Sequence, residues 1–279
     1  MHAQIVLFDG FDPLDVIAPF EVLYAGGTAS GGSVTVELVS AEGPREVVSG
    51  TGGLTLRATA TLDPERADLV LVPGASGRVS EPEEGSGAEE VGGAEEAGGA
   101  DGVGGAEEGL AEPAHLTQPA HLTDPVRPTD PAHLTDPAHL TDPAHSTDQP
   151  IPVLLGRTLT TGLPALLRSA MENPAVTVAT VCGGSLVLAL AGLLEGRHAT
   201  THHLGLDLLD ATGAHAVRAR VVDDGDLVTG AGVTSGLDLG LYLLEREAGP
   251  RIAHAVEELF AHERRGTVWR DQGPVPAAL

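Results

Sequence analysis

The sequence predicts an α/β domain in three layers, a mostly parallel sheet with helices on both faces. Three observations lead there. Short apolar runs such as Ile5 to Phe8, Asp68 to Val72 and Ala175 to Val181 alternate with longer stretches of helical periodicity. That alternation and spacing suit a parallel sheet with crossover helices. The single cysteine, Cys182, stands between an apolar strand and an apolar helix and is followed by Gly183-Gly184. Sheets of this kind place their sites at the carboxyl ends of strands.

In order, Ile5 to Phe8 reads as a buried strand and Leu14 to Tyr24 as a helix with Leu14, Ile17, Ala18, Val22 and Leu23 on one side. Ser33 to Val39 alternates as a strand. Val47-Val48 and Leu54 to Leu56 flank glycines and suggest a small hairpin. Asp68 to Gly74 is an apolar strand ending in a turn. Leu163 to Met171 reads as a helix, Ala175 to Val181 as a β-branched strand, and Ser185 to Leu194 as an apolar helix. Val217 to Val222 and Leu227 to Thr229 are strands around Asp224-Gly225. Gly236 to Glu247 and Ile252 to His262 close the chain as helices.

The expected organisation is one domain over residues 1–279, interrupted by a low-complexity, disordered insert at 80–150. Ser80 to Glu112 is a Gly/Glu/Ala mixture without apolar periodicity, and Pro-containing hexads follow, such as Pro119-Ala120-His121-Leu122-Thr123-Asp124. A proline in every hexad suits neither a helix nor a packed strand. With few apolar residues, such a segment does not offset its ordering entropy. The hexads hold His115, His121, His133, His139 and His145. No rigid geometry there selects a metal, so no metal site is assigned.

The net charge is −25, there is no lysine, and much of the acidity falls in the insert. That balance argues against nucleic acid and against anionic membrane surfaces as partners. A single cysteine permits no disulfide within the chain and makes a cytoplasmic setting the expectation. The first residues read as a strand rather than a signal peptide. No apolar run reaches the length of a spanning helix.

Cys182 occupies the position of the nucleophile in a strand–turn–helix elbow, with Gly183 and Gly184 permitting the turn. Free N–H groups and the dipole at the following helix would favour the thiolate. A cysteine serving only as a small core residue is expected inside the strand or helix, not at the glycine junction. Three segments offer partners. Asp15 follows the first strand, whose loop opens on the same sheet edge. His202 and His203 follow the elbow helix and offer a base. Gly74-Ala75-Ser76-Gly77 offers backbone N–H groups to a developing negative charge.

Together these residues resemble the ThiJ/PfpI family of the class I glutamine amidotransferase-like superfamily, and within it the isonitrile hydratase-like subgroup. The resemblance rests on Asp15 with Pro19 to Leu23, Asp68 to Gly74, Val181 to Ser185 with Ala191 to His202, and Gly232 to Asp238. It implies a flavodoxin-like three-layer sandwich. It also implies Cys182 as nucleophile, Asp15 as its acidic partner, Gly74 and Ala75 lining an anion site, and His202 beside the cysteine. Asp238 is either a site residue or a helix cap, with capping the simpler role. A small-molecule substrate, no cofactor and a homodimer are further implications. Gly183 replaces the subgroup's usual Thr, His203 replaces a Trp and Ala75 a Gly, so Gly183 and His203 belong to a changed pocket wall. The implied reaction is hydration of an isonitrile to an N-substituted formamide. The alternatives are a ligand- or redox-sensing domain related to the N-terminal half of AraC-type transcription factors, and glyoxalase-like aldehyde chemistry.

Overall fold

The computed structural model describes residues 1–79 and 149–274. The low-complexity stretch read from the sequence therefore lies outside the described residues, apart from Gln149 and Pro150. The expected α/β architecture is present. β1 (His2–Val6) leads into α1 (Pro13–Ala29), then β2 (Thr35–Ser40), β3 (Arg45–Val48), β4 (Thr55–Ala58), β5 (Ala60–Thr61) and β6 (Leu69–Val72). After the undescribed segment come α2 (Ile151–Thr158), α3 (Leu163–Glu172), β7 (Thr177–Val181), α4 (Gly184–Leu190), β8 (His198–Ala199) and α5 (Leu206–Ala211). β9 (His215–Ala216), β10 (Val221–Asp223), β11 (Leu227–Gly230), α6 (Ser235–Ala248) and α7 (Pro250–Phe260) complete the fold.

The main sheet has seven strands in the order β10-β11-β7-β6-β1-β2-β5. Only the β10–β11 pair is antiparallel. β6 is wholly apolar, and β1 and β7 are buried along nearly their whole length, because both faces of these strands are covered. From β1 the chain moves outward through β2 and β5, then returns to β6 on the other side of β1. The direction of winding reverses between β1 and β6, the position at which open sheets of this kind carry their sites.

α1, α6 and α7 pack on one another as one layer. α2, α4 and α5 form another group, with α3 against β7. α1 starts where Asp12 caps it, the carboxylate accepting from Leu14 N at 2.9 Å with Pro13 in the first turn. The helix runs past Tyr24, where the sequence reading ends it, and continues through Gly26 and Gly27 to Ala29. Those glycines mark close packing rather than a stop: a Cβ on Gly26 would lie 2.3 Å from Leu244 Cδ1, and one on Gly27 2.3 Å from the Val34 carbonyl oxygen. α6 answers with its own glycines. A Cβ on Gly240 would stand 3.1 Å from Val22 Cβ and 3.3 Å from Pro19 Cα.

Other departures have similar causes. α4 ends at Leu190, short of the expected Leu194, because Gly192 turns the chain at a φ of 71°. α2 and α5 are additions to the elements expected from the sequence. α2 follows directly on the low-complexity stretch, and α5 is a short helix with Leu206 and Leu209 as its buried residues, too brief for a periodic signal. Among the described residues no helix is long and apolar enough to cross a membrane. No group of three or more His, Cys, Asp or Glu side chains there suits a metal ion.

The α1–α6 contact makes a direct prediction. Gly240→Val forces the two helices apart and should cost about 1–3 kcal/mol in urea denaturation. Gly156→Ala in α2, with open space around its Cβ position, should instead stabilise by about 0.5–1 kcal/mol.

Candidate functional site

β7 delivers the chain to Cys182, which takes a left-handed backbone conformation with φ 54°. A non-glycine residue in that region costs on the order of 1–3 kcal/mol and persists where its surroundings over-determine it. Those surroundings are explicit. The Cys182 N–H donates to the Gly230 carbonyl at 3.0 Å, and the Thr201 hydroxyl donates to the Cys182 carbonyl at 2.7 Å. Behind the turn, Ser185 Oγ donates to the Thr200 carbonyl at 2.6 Å, so the Thr180 hydroxyl, 2.5 Å away, donates to Ser185. Thr229 Oγ1 accepts from Thr200 N at 2.8 Å. All five hydroxyl residues are buried. Gly184 has no alternative, since a Cβ there would lie 2.1 Å from the Val72 carbonyl oxygen.

Asp15 comes from the first turn of α1 and is 0% exposed. Gly74 N donates to its Oδ2 at 2.9 Å. A Cβ on Gly74 would meet that oxygen at 2.8 Å and Gly183 N at 2.6 Å, so a glycine is what lets the loops after β1, β6 and β7 converge. Burial, reinforced by the charge of Asp12, raises the Asp15 carboxyl well above the usual carboxylate range, against the Gly74 N–H and the Cys182 side chain, which favour ionisation. Burial raises the Cys182 thiol as well, and the charge of Asp15 adds to it, while the Gly183 N–H favours the thiolate. The helix start that favoured a thiolate in the sequence reading is thus outweighed by desolvation.

Asp15 and Cys182 are coupled through charge and a side-chain hydrogen bond. The two acids are best described as a pair. With a proton on Asp15, the charge opposing ionisation of the sulfur disappears, and the carboxyl becomes a donor to the thiolate. The Ala75 N–H makes no hydrogen bond among the described residues, although its neighbours do: Asp12 N donates to Gly74 O and Ser76 N to Gly10 O. Gly183 provides a backbone donor to the sulfur.

The structure treats the expected histidines differently. His202 caps a 3-10 turn (His203–Gly205), its Nδ1 accepting from Leu204 N at 3.4 Å, and its ring lies 4.2 Å from that of His203. Burial and then the charge of His203 lower its pKa, which keeps the ring neutral. No hydrogen bond joins His202 or the exposed His203 to Cys182 among the described residues. Asp15, Gly74 and Gly183 are the residues gathered at the cysteine, while Ala75 is bridged to Phe11. Asp238 does not cap α6. It is 3% exposed and accepts from Arg220 Nε at 2.5 Å, Arg265 N at 2.9 Å and His262 Nε2 at 3.2 Å, stapling the segment after α7 to α6. Sequence reasoning missed Thr201, one residue before the histidine it chose, and Leu155 of α2, which packs beside Gly183.

A family model described as the DJ-1/PfpI family matches residues 158–246, from the end of α2 through most of α6 and including the elbow. Over 80 residues the chain is 50% identical to an isonitrile hydratase of Pseudomonas putida, a match covering 29% of this chain and 35% of that protein. Over 106 residues it is 38% identical to the HTH-type transcriptional regulator CdhR of Pseudomonas aeruginosa, covering 37% of this chain and 31% of the regulator. The matches thus span about a third of each curated relative. In fold, the chain is similar to Drosophila melanogaster DJ-1beta, with a TM-score of 0.59 at 15% identity over 94% of this chain and 98% of the other.

The raised Asp15 carboxyl has a consequence for stability. The folded state holds this proton more tightly than the unfolded chain, so the contribution is full below the unfolded carboxylate range and is lost as pH rises through the folded pKa. Asp15→Asn, which keeps an acceptor for Gly74 N, should therefore raise the urea midpoint relative to the parent near pH 8. The difference should shrink as pH falls towards 4.

Proposed function

We propose that this DJ-1/PfpI domain is a cysteine-dependent hydratase that converts an isonitrile to an N-substituted formamide. The observation carrying the reading is the coupled Asp15–Cys182 pair, a carboxyl whose burial favours its protonated form beside the only thiol of the chain. The 50% identity to an isonitrile hydratase, over a segment about a third of that enzyme's length, supports it.

The chemistry balances on these two groups. With the pair's proton on Asp15, the Cys182 thiolate attacks the terminal isonitrile carbon and forms a C–S bond. Asp15 gives its proton to that carbon, leaving a thioimidate and a carboxylate. Water then adds to the same carbon. One of its protons goes to nitrogen and the other returns to Asp15, while the C–S bond breaks and the formamide leaves. The Gly183 N–H, which favours the thiolate, faces the charge that develops along the way.

Incubating the parent and Cys182→Ala with an alkyl isonitrile, with formamide followed by mass spectrometry, tests the reading. Formamide is expected from the parent alone. Asp15→Asn, which accepts a hydrogen bond but cannot deliver this proton, should lower the rate by about 10²–10⁴-fold. A second reading, a sensor domain that binds a metabolite without turnover, draws on the 38% identity to CdhR. Saturable binding with no product would favour it.

A further inference from the structure

The cysteine is nearly closed off, at 7% exposure, and Leu155 is 2% exposed. A Cβ on Gly183 would lie 3.3 Å from Leu155 Cδ1 and 3.7 Å from Leu155 Cδ2. The first distance is tighter than ordinary packing, so a side chain at position 183 and the Leu155 isobutyl group compete for one volume. α2 is held in place to fill it. Its neighbouring Leu154 closes on two glycines: a Cβ on Gly10 would stand 2.7 Å from Leu154 Cδ2, and one on Gly77 3.1 Å from Leu154 Cδ1. The Thr158 hydroxyl closes the end of the helix on the Leu155 carbonyl at 2.6 Å.

We propose that Leu155 is a specificity-determining residue that sets the width of the approach to Cys182 and restricts the site to slender electrophiles with an unbranched reactive end. The missing side chain at Gly183 does not open the pocket, because a leucine from α2 occupies the space beside it. The inference concerns access to the sulfur and stands apart from the identity of the substrate. The reagents of its test are not isonitriles, so its failure and that of the hydratase reading are separable.

Because the chain has one cysteine, alkylation of the full-length protein reports on Cys182 alone. Second-order rates with iodoacetamide, which is small, and N-phenylmaleimide, which is broad, are measured by intact-protein mass spectrometry. Both reagents are uncharged. In Leu155→Ala the rate with the maleimide should rise at least tenfold more than the rate with iodoacetamide. Equal acceleration of both, or of neither, overturns the proposal. If Leu155→Ala does not fold, the milder Leu155→Val and Gly183→Ala complete a cycle. Gly183→Ala should slow the maleimide selectively when Leu155 is intact and lose that effect in the Leu155→Val background. Additive effects overturn the proposal.

Discussion

The Val72 carbonyl at the end of β6 and the Cα of Gly184 at the start of α4 approach so closely that no side chain fits between them. From this approach the rest of the site follows. It draws the elbow against the β6 strand end, which brings Gly183 over Gly74 and places the Gly74 N–H on Asp15. It also requires the chain to turn within Cys182, which accounts for a left-handed cysteine where a glycine would be unstrained. The strain is held by hydrogen bonds from two directions. Gly230 receives the cysteine's N–H, and Thr201 caps its carbonyl. Buried polar groups tied in this way specify one geometry, because any other leaves a donor or acceptor without a partner.

Desolvation is the second theme of the site. Asp15 and Cys182 are both driven towards their neutral forms by burial. Their coupling means that neither acidity belongs to one residue alone. An isolated thiol in so dry a place would be inert. A carboxyl able to hold the proton changes that, since removing its own charge makes the sulfur's charge tolerable. The dipole of so short a helix as α4 is a minor influence beside this exchange.

Much of the fold was legible because the signals were local. Apolar strands such as Leu69–Val72 and Thr177–Val181 read correctly, as did the cysteine at the glycine junction. The convergence of Asp15, Gly74 and Cys182 followed from the rule that parallel strands open on one edge, and the structure brings them together. What did not show were features depending on a partner in space. The reading stopped α1 at Tyr24, because the sequence does not reveal Leu244 and Val34 packed on Gly26 and Gly27. Thr201 carries no signal of its own in the sequence, and only the fold aims its hydroxyl at the cysteine carbonyl. His202 was chosen for its chemistry, yet the geometry spends its ring on a turn. Leu155 lay beyond a stretch in which no pattern could be followed.

The ends of that stretch are themselves informative. Arg78 and Pro150 form a parallel bridge, with Arg78 N donating to Gln149 O at 2.9 Å and Ile151 N to Arg78 O at 3.0 Å. The chain therefore leaves and re-enters the fold through two adjacent backbone positions, with a span that does not depend on the number of residues between them. The clasp is made by main-chain atoms, so side-chain replacement at Arg78 or Gln149 would leave its hydrogen bonds in place.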